Sequence, residues 1–144
     1  MLRTFFSSKP WHAQHGIAFI RIIVGLLMIY HGLEVFDPKL MKTYAAWDAF
    51  KGSEYAATMV YLGKGAELVA GILLTLGLFT RLGALILIGS MLYIIFFVGH
   101  GKIWYEDQHP FMFVLVGILF LFTGPGSFSM DEKLFHRNKT MRSV

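Results

Sequence analysis

Two ionisable side chains stand inside a run that is otherwise long and apolar enough to cross a membrane. They are Lys64 and Glu67, within YLGKGAELVAGILLTLGLFTR, residues 61–81. An ionisable group in lipid costs at least ~2.5 kcal/mol, so the pair must face other helices or a wet cavity. Three residues of spacing put both on one side of a helix as neighbours. The preceding apolar run carries His31 and Glu34 at the same spacing, and His100 follows the third run. A histidine and a carboxylate in a low dielectric can hydrogen-bond the carbonyl or hydroxyl of a quinone and exchange a proton with it. In that chemistry Glu67 and His31 handle the proton, Lys64 tunes Glu67, and His100 bounds the pocket. The structural alternative is an internal ion pair that fixes helix register, with His31 donating to Glu34 or to a backbone carbonyl.

These residues need helices to position them. Residues 17–36 supply the roughly 20 residues required to span the hydrocarbon core. Arg21, Gly25, Met28, Gly32 and Val35 share one stripe, with His31 and Glu34 beside it. Gly25 and Gly32 allow close packing against a neighbouring helix. Asp37-Pro38 reads as an N-cap followed by proline in the first helical position. Leu40, Tyr44 and Trp47 then follow at i, i+4 and i+7, the pattern of a short amphipathic helix in the membrane interface. A second span is expected over 56–79, a tight turn over 80–83 and a third span over 82–98, so that spans two and three are antiparallel neighbours. The fourth begins near Asp107 and stops at Gly124-Pro125-Gly126.

Four antiparallel spans bring His31, Glu34, Lys64, Glu67 and His100 to one level, with Arg21, Arg81 and Asp131 at the other. The second group is expected to be structural: an arginine snorkelling to headgroups, or paired with Asp131, pins the helix ends together. Arg3, Lys9, Arg81, Lys133, Arg137, Lys139 and Arg142 fall on the side of the termini, against Lys39, Lys42, Lys51 and Lys102 opposite. That bias predicts both termini in the cytoplasm of a bacterial cell, with the chain in its inner membrane. The organisation expected is an interfacial N-terminal segment (1–16), a four-helix membrane domain (17–126) and a basic cytoplasmic tail (127–144).

Composition sets the bounds. Over half of the 144 residues are hydrophobic (56%) and only 15% are charged, a balance suited to a multispan membrane protein and to one domain. The absence of cysteine excludes dithiol chemistry, thiolate nucleophiles and iron–sulfur clusters. The net charge of +4 lies largely in the tails and reads as topology and lipid contact, not as nucleic-acid binding. No cleavage pattern of small residues follows the first apolar run, which is expected to stay as a helix. Nothing acidic or sulfurous accompanies His12 and His15, so no metal site is expected there. His31 and His100 differ in depth by several residues, a poor fit to a pair of haem ligands. No phosphate loop or dinucleotide fingerprint occurs. The chain is short and shows neither an inverted repeat nor a broken apolar helix, which disfavours a transporter.

Arg21 with Gly25 and His31-Gly32 in the first span, Glu67 with Gly71, Gly77, Thr80 and Arg81 in the second, and the closing GPGSFSMD at 124–131 form a recognisable combination. The sequence resembles the DoxX family of small four-helix membrane proteins over residues 17–131. Glu34-Val35 departs from the lysine that many members carry after the glycine of span one. The resemblance implies an all-α antiparallel four-transmembrane-helix bundle. It also implies a small subunit or accessory protein of a quinone-linked membrane oxidoreductase, with quinone as the associated cofactor and oxidoreductase subunits as partners. The alternative is a non-catalytic scaffold or lipid-binding assembly protein, its glycine-rich faces docking other subunits or further copies of itself.

Overall fold

The computed structural model describes residues 12–136. Arg3, Lys9, Trp11, Arg137, Lys139 and Arg142, which carry part of the topology argument, lie outside the described residues. Those described are helical, with no strand among them.

Helix α1 runs Ala13–Gly32 and tightens into a 3-10 turn over Leu33–Phe36. A short helix α2 follows at Pro38–Ala45. Its start is as the sequence predicts: the Asp37 carboxylate accepts the backbone N–H of Lys39 (2.9 Å) and Leu40 (3.3 Å), and Pro38 fills the first position. Helix α3 runs Ala56–Leu76, α4 runs Thr80–Tyr93 with a wider turn over Ile94–Val98, and α5 runs Gln108–Thr123. Three segments are long and apolar enough to cross a membrane: Ala13–Phe36, Ala56–Leu76 and Thr80–Val98. Helix α5 is apolar but shorter, at 16 residues.

The connection between α3 and α4 sits earlier than the expected 80–83. Gly77 adopts φ +62°, which closes α3 with bonds from Gly77 and Leu78 N–H to the carbonyls of Leu74 (3.1 Å) and Leu73 (3.0 Å). Thr80 is already helical. Three residues, Gly77, Leu78 and Phe79, therefore make the reversal, and the helices pack antiparallel.

Helix α1 lies directly on α3, because glycines remove the side chains that would hold them apart. A Cβ on Gly71 would fall 2.6 Å from the backbone nitrogen of Ile29, and one on Gly32 would meet the backbone of Leu68. Val24, Met28, Ala70, Leu74, Ala84, Leu87, Met91, Ile95, Val114 and Phe120 form the main core. A smaller cluster of Met41, Phe50 and Val60 seats α2 at one end of the bundle. Large apolar side chains face outward along the helices, among them Phe19, Leu26, Leu62, Phe97 and Phe122. In water such faces would cost about 25 cal/mol per Å²; in a bilayer they meet matching solvent.

Candidate functional site

A cavity of about 520 Å³ opens at the α2 end of the bundle. Its walls come from α1 (His31, Glu34), α2 and the turn after it (Tyr44, Trp47, Phe50), α3 (Met59, Lys64, Glu67) and α4 (Ser90, Tyr93, Ile94). Four of the sequence-expected pocket residues, His31, Glu34, Lys64 and Glu67, meet there.

Lys64 is the hub. Its Nζ lies 2.9 Å from Glu34 Oε2 and 3.0 Å from Glu67 Oε2. The Lys64 side chain is 18% exposed, that of Glu34 22% and that of Glu67 6%, so the cation is shared between two carboxylates largely removed from water. Two further groups close on Glu34. The Tyr44 hydroxyl donates to Oε2 (2.9 Å), and His31 Nδ1 stands 3.9 Å from Oε1. The Lys64 ammonium also sits 5.3 Å from the centroid of the Tyr44 ring, a cation–π distance. Burial, followed by the bond to Glu34, raises the Tyr44 phenol above its ordinary value and keeps it a donor. Two carboxylates against one ammonium give the cluster a formal charge of −1 with His31 neutral. Glu67 has Lys64 on Oε2, which leaves Oε1 as its spare acceptor.

The sequence reading missed Tyr44, Trp47, Ser90 and Tyr93 as lining residues. Tyr44 and Trp47 were legible as one face of an amphipathic helix; Tyr44 turns to the cluster, while Trp47, past the end of α2, edges the cavity and stays exposed. Their rings meet edge to face at 4.8 Å. The signal was a phenol on the apolar stripe, because a half-buried hydroxyl needs a partner.

His100 is not part of the pocket. It lies exposed on the α4–α5 loop with Nδ1 3.3 Å from Glu106, while the nearly buried Asp107 carboxylate organises that loop by accepting the N–H of His100 (3.1 Å) and Lys102 (2.8 Å). The helical segment ends at Val98, as the sequence predicts, and His100 just beyond it turns to Glu106 of its own loop and not to the cluster. His31 and His100 thus occupy separate surroundings, and no group of three or more His, Cys, Asp or Glu among the described residues could hold a metal ion.

The opposite end is built on Arg21, which is fully buried. Its guanidinium donates to four carbonyls: Leu74 and Thr75 (3.2 Å) at the end of α3, and Pro125 (2.8 Å) and Phe128 (3.1 Å) after α5. No arginine among the described residues makes a direct ion pair with Asp131, although the Asp131 charge acts on Arg21 at longer range. Asp131 instead accepts the N–H of Phe79 (2.7 Å) and Thr80 (2.8 Å), capping α4. Arg81 donates to the Leu121 carbonyl at 3.3 Å. Orphan backbone groups at helix ends have claimed the charged side chains.

The fold and cavity define a small helical membrane protein with a polar cluster at one end of its bundle and a buried arginine tie at the other. The chain belongs to the DoxX family, whose model matches residues 16–100. An uncharacterized protein of Haemophilus influenzae is 30% identical over 133 residues, covering 88% of this chain and 96% of that protein. No solved structure matches.

Proposed function

We propose that this protein is a small subunit or accessory protein of a quinone-linked oxidoreductase in the bacterial inner membrane. In this reading α5 completes a four-span bundle, α2 lies in the interface, and both termini face the cytoplasm. The observation that carries the proposal is the division of the cavity: a mostly apolar, aromatic-edged chamber whose ionisable groups form one connected cluster. An amphiphile with a flat ring, a few polar atoms and an apolar tail matches that division. A bound quinone supplies two-electron, two-proton redox chemistry. This chain's residues act around it: Lys64 donates toward a ring oxygen, Glu67 Oε1 accepts from a ring hydroxyl, and the half-exposed His31 exchanges the proton with water through Glu34. Electrons come from a partner subunit or a bound cofactor in this reading, since the chain has no cysteine to hold a thiol or cluster centre.

A scaffold or lipid-binding role is the second reading, favoured by the exposed apolar side chains that ring the bundle. Gentle purification from native membranes, with quinones and co-purifying subunits identified by mass spectrometry, separates the two. A stoichiometric quinone or a reproducible oxidoreductase partner supports the first; phospholipid alone with non-redox partners supports the second. Glu67→Gln then refines the result. It should spare folding and abolish quinone occupancy if Glu67 binds the headgroup, and should disturb only assembly if it does not.

A further inference from the structure

We infer that Tyr44 is a built-in occupant of the headgroup subsite, its phenol held on Glu34, and that an incoming hydroxylated ring must displace it. The inference rests on the ring-headgroup reading of the cavity and goes further, naming the residue that competes for the site.

The side chain of Tyr44 is itself a ring carrying a hydroxyl. Its oxygen donates to Glu34 Oε2 at 2.9 Å, its ring lies under the Lys64 ammonium at 5.3 Å, and the edge of Trp47 packs on it at 4.8 Å. A phenolic ligand would use the same carboxylate, ammonium and aromatic wall. The bound tyrosine therefore shows which chemistry the cluster accepts.

The mounting of Tyr44 suits displacement. Helix α2 has eight residues, and Met41 is the one among them that is buried. Chain turns flank it, the Asp37 cap on one side and the Trp47–Ser53 stretch on the other. Moving α2 thus gives up the small Met41, Phe50 and Val60 cluster and leaves the main core intact. Every other ionisable group of the site, His31, Glu34, Lys64 and Glu67, is fixed on the long helices α1 and α3 or the turn that continues α1. The ring on the cover is the movable partner.

The test uses the full chain in detergent micelles with Trp47 as reporter, in a Trp11→Phe/Trp104→Phe background. The probes are a decyl-substituted benzoquinone and its hydroquinone kept reduced. Tyr44→Phe retains the ring and removes the competing hydroxyl. It should bind the hydroquinone about tenfold tighter, the lower end of what freeing a charged acceptor is worth. With Tyr44 kept in that same Trp11→Phe/Trp104→Phe background, saturation should shift Trp47 emission as the Tyr44 ring leaves it. Should Tyr44→Phe fail to fold, 3-fluorotyrosine at position 44, a stronger donor, must bind the hydroquinone more weakly. Unchanged or weaker binding by Tyr44→Phe, with the wild type still binding, overturns the role of Tyr44 and leaves the cavity reading standing. Loss of all binding, by wild type and variant and for both probes, overturns both.

Discussion

Replacing Lys64 with methionine isolates the electrostatics of the site, because the change keeps the unbranched stem to the position of Cε and removes the charged nitrogen. Glu34 and Glu67 both touch the same nitrogen, at 2.9 and 3.0 Å. Their oxygens are thus within ~6 Å of one another, where two unit charges at an effective dielectric of 20 repel by about 3 kcal/mol. Lost attraction adds to this, and removing one partner of a buried pair ordinarily costs 3–5 kcal/mol, roughly a hundred- to several-thousandfold in the folded ratio. Proton uptake by one carboxylate offers an escape, so about 3 kcal/mol is the expected destabilisation near neutral pH, shrinking as the solution is acidified. The assay is unfolding in mixed micelles followed by circular dichroism. Lys64→Met/Glu67→Gln, which removes the repulsion, should recover most of the loss. A Lys64→Met protein within ~0.5 kcal/mol of wild type, well below the range for a broken buried pair, would refute the shared-cation account.

Two further outcomes follow from the same contacts. Arg21→Met strands four carbonyls on two segments, so stability should fall by about 3–5 kcal/mol, and limited proteolysis should cut first within residues 124–131. Equal protease resistance would mean that the guanidinium does not tie that segment down. Because the Tyr44 phenol is raised in the folded state, the stability it contributes is complete below its ordinary value of about 10 and is lost as pH rises through the higher folded value. Tyr44→Phe should flatten the alkaline limb of a stability–pH profile, and an unaltered limb would assign it to another group.

Much of the architecture was legible because it depends on local rules. Lys64 and Glu67 three apart, Gly25 and Gly32 on one stripe, and Asp37-Pro38 at a helix start each act within one or two turns, and each behaves as its spacing dictates. What the sequence hid depends on where the chain bends. Phe79 takes a left-handed backbone conformation (φ 47°), so the reversal finishes before Thr80, although nothing in a phenylalanine announces it. His100 is held away from the site by its own loop, through Glu106 and Asp107. Arg21 and Asp131 carry opposite charges at the same end, which makes a pair the natural expectation. Yet helix ends present carbonyls and N–H groups without intrahelical partners, and here Arg21 and Asp131 bond those groups instead of each other. Tyr44 was visible as a residue but not as a partner, because the phenol completes a cluster assembled from two other helices.

The most direct measurement is photolabelling in native membranes with an azido-substituted quinone, the modified peptides being mapped by mass spectrometry. The account predicts label on the cavity wall, in residues 59–67 of α3 or in residues 90–98 at the end of α4 and the wider turn after it, suppressed by excess unlabelled quinone and absent from Glu67→Gln. Label spread over the outward apolar faces and indifferent to competitor would contradict it, leaving a membrane scaffold with a charged tie at each end.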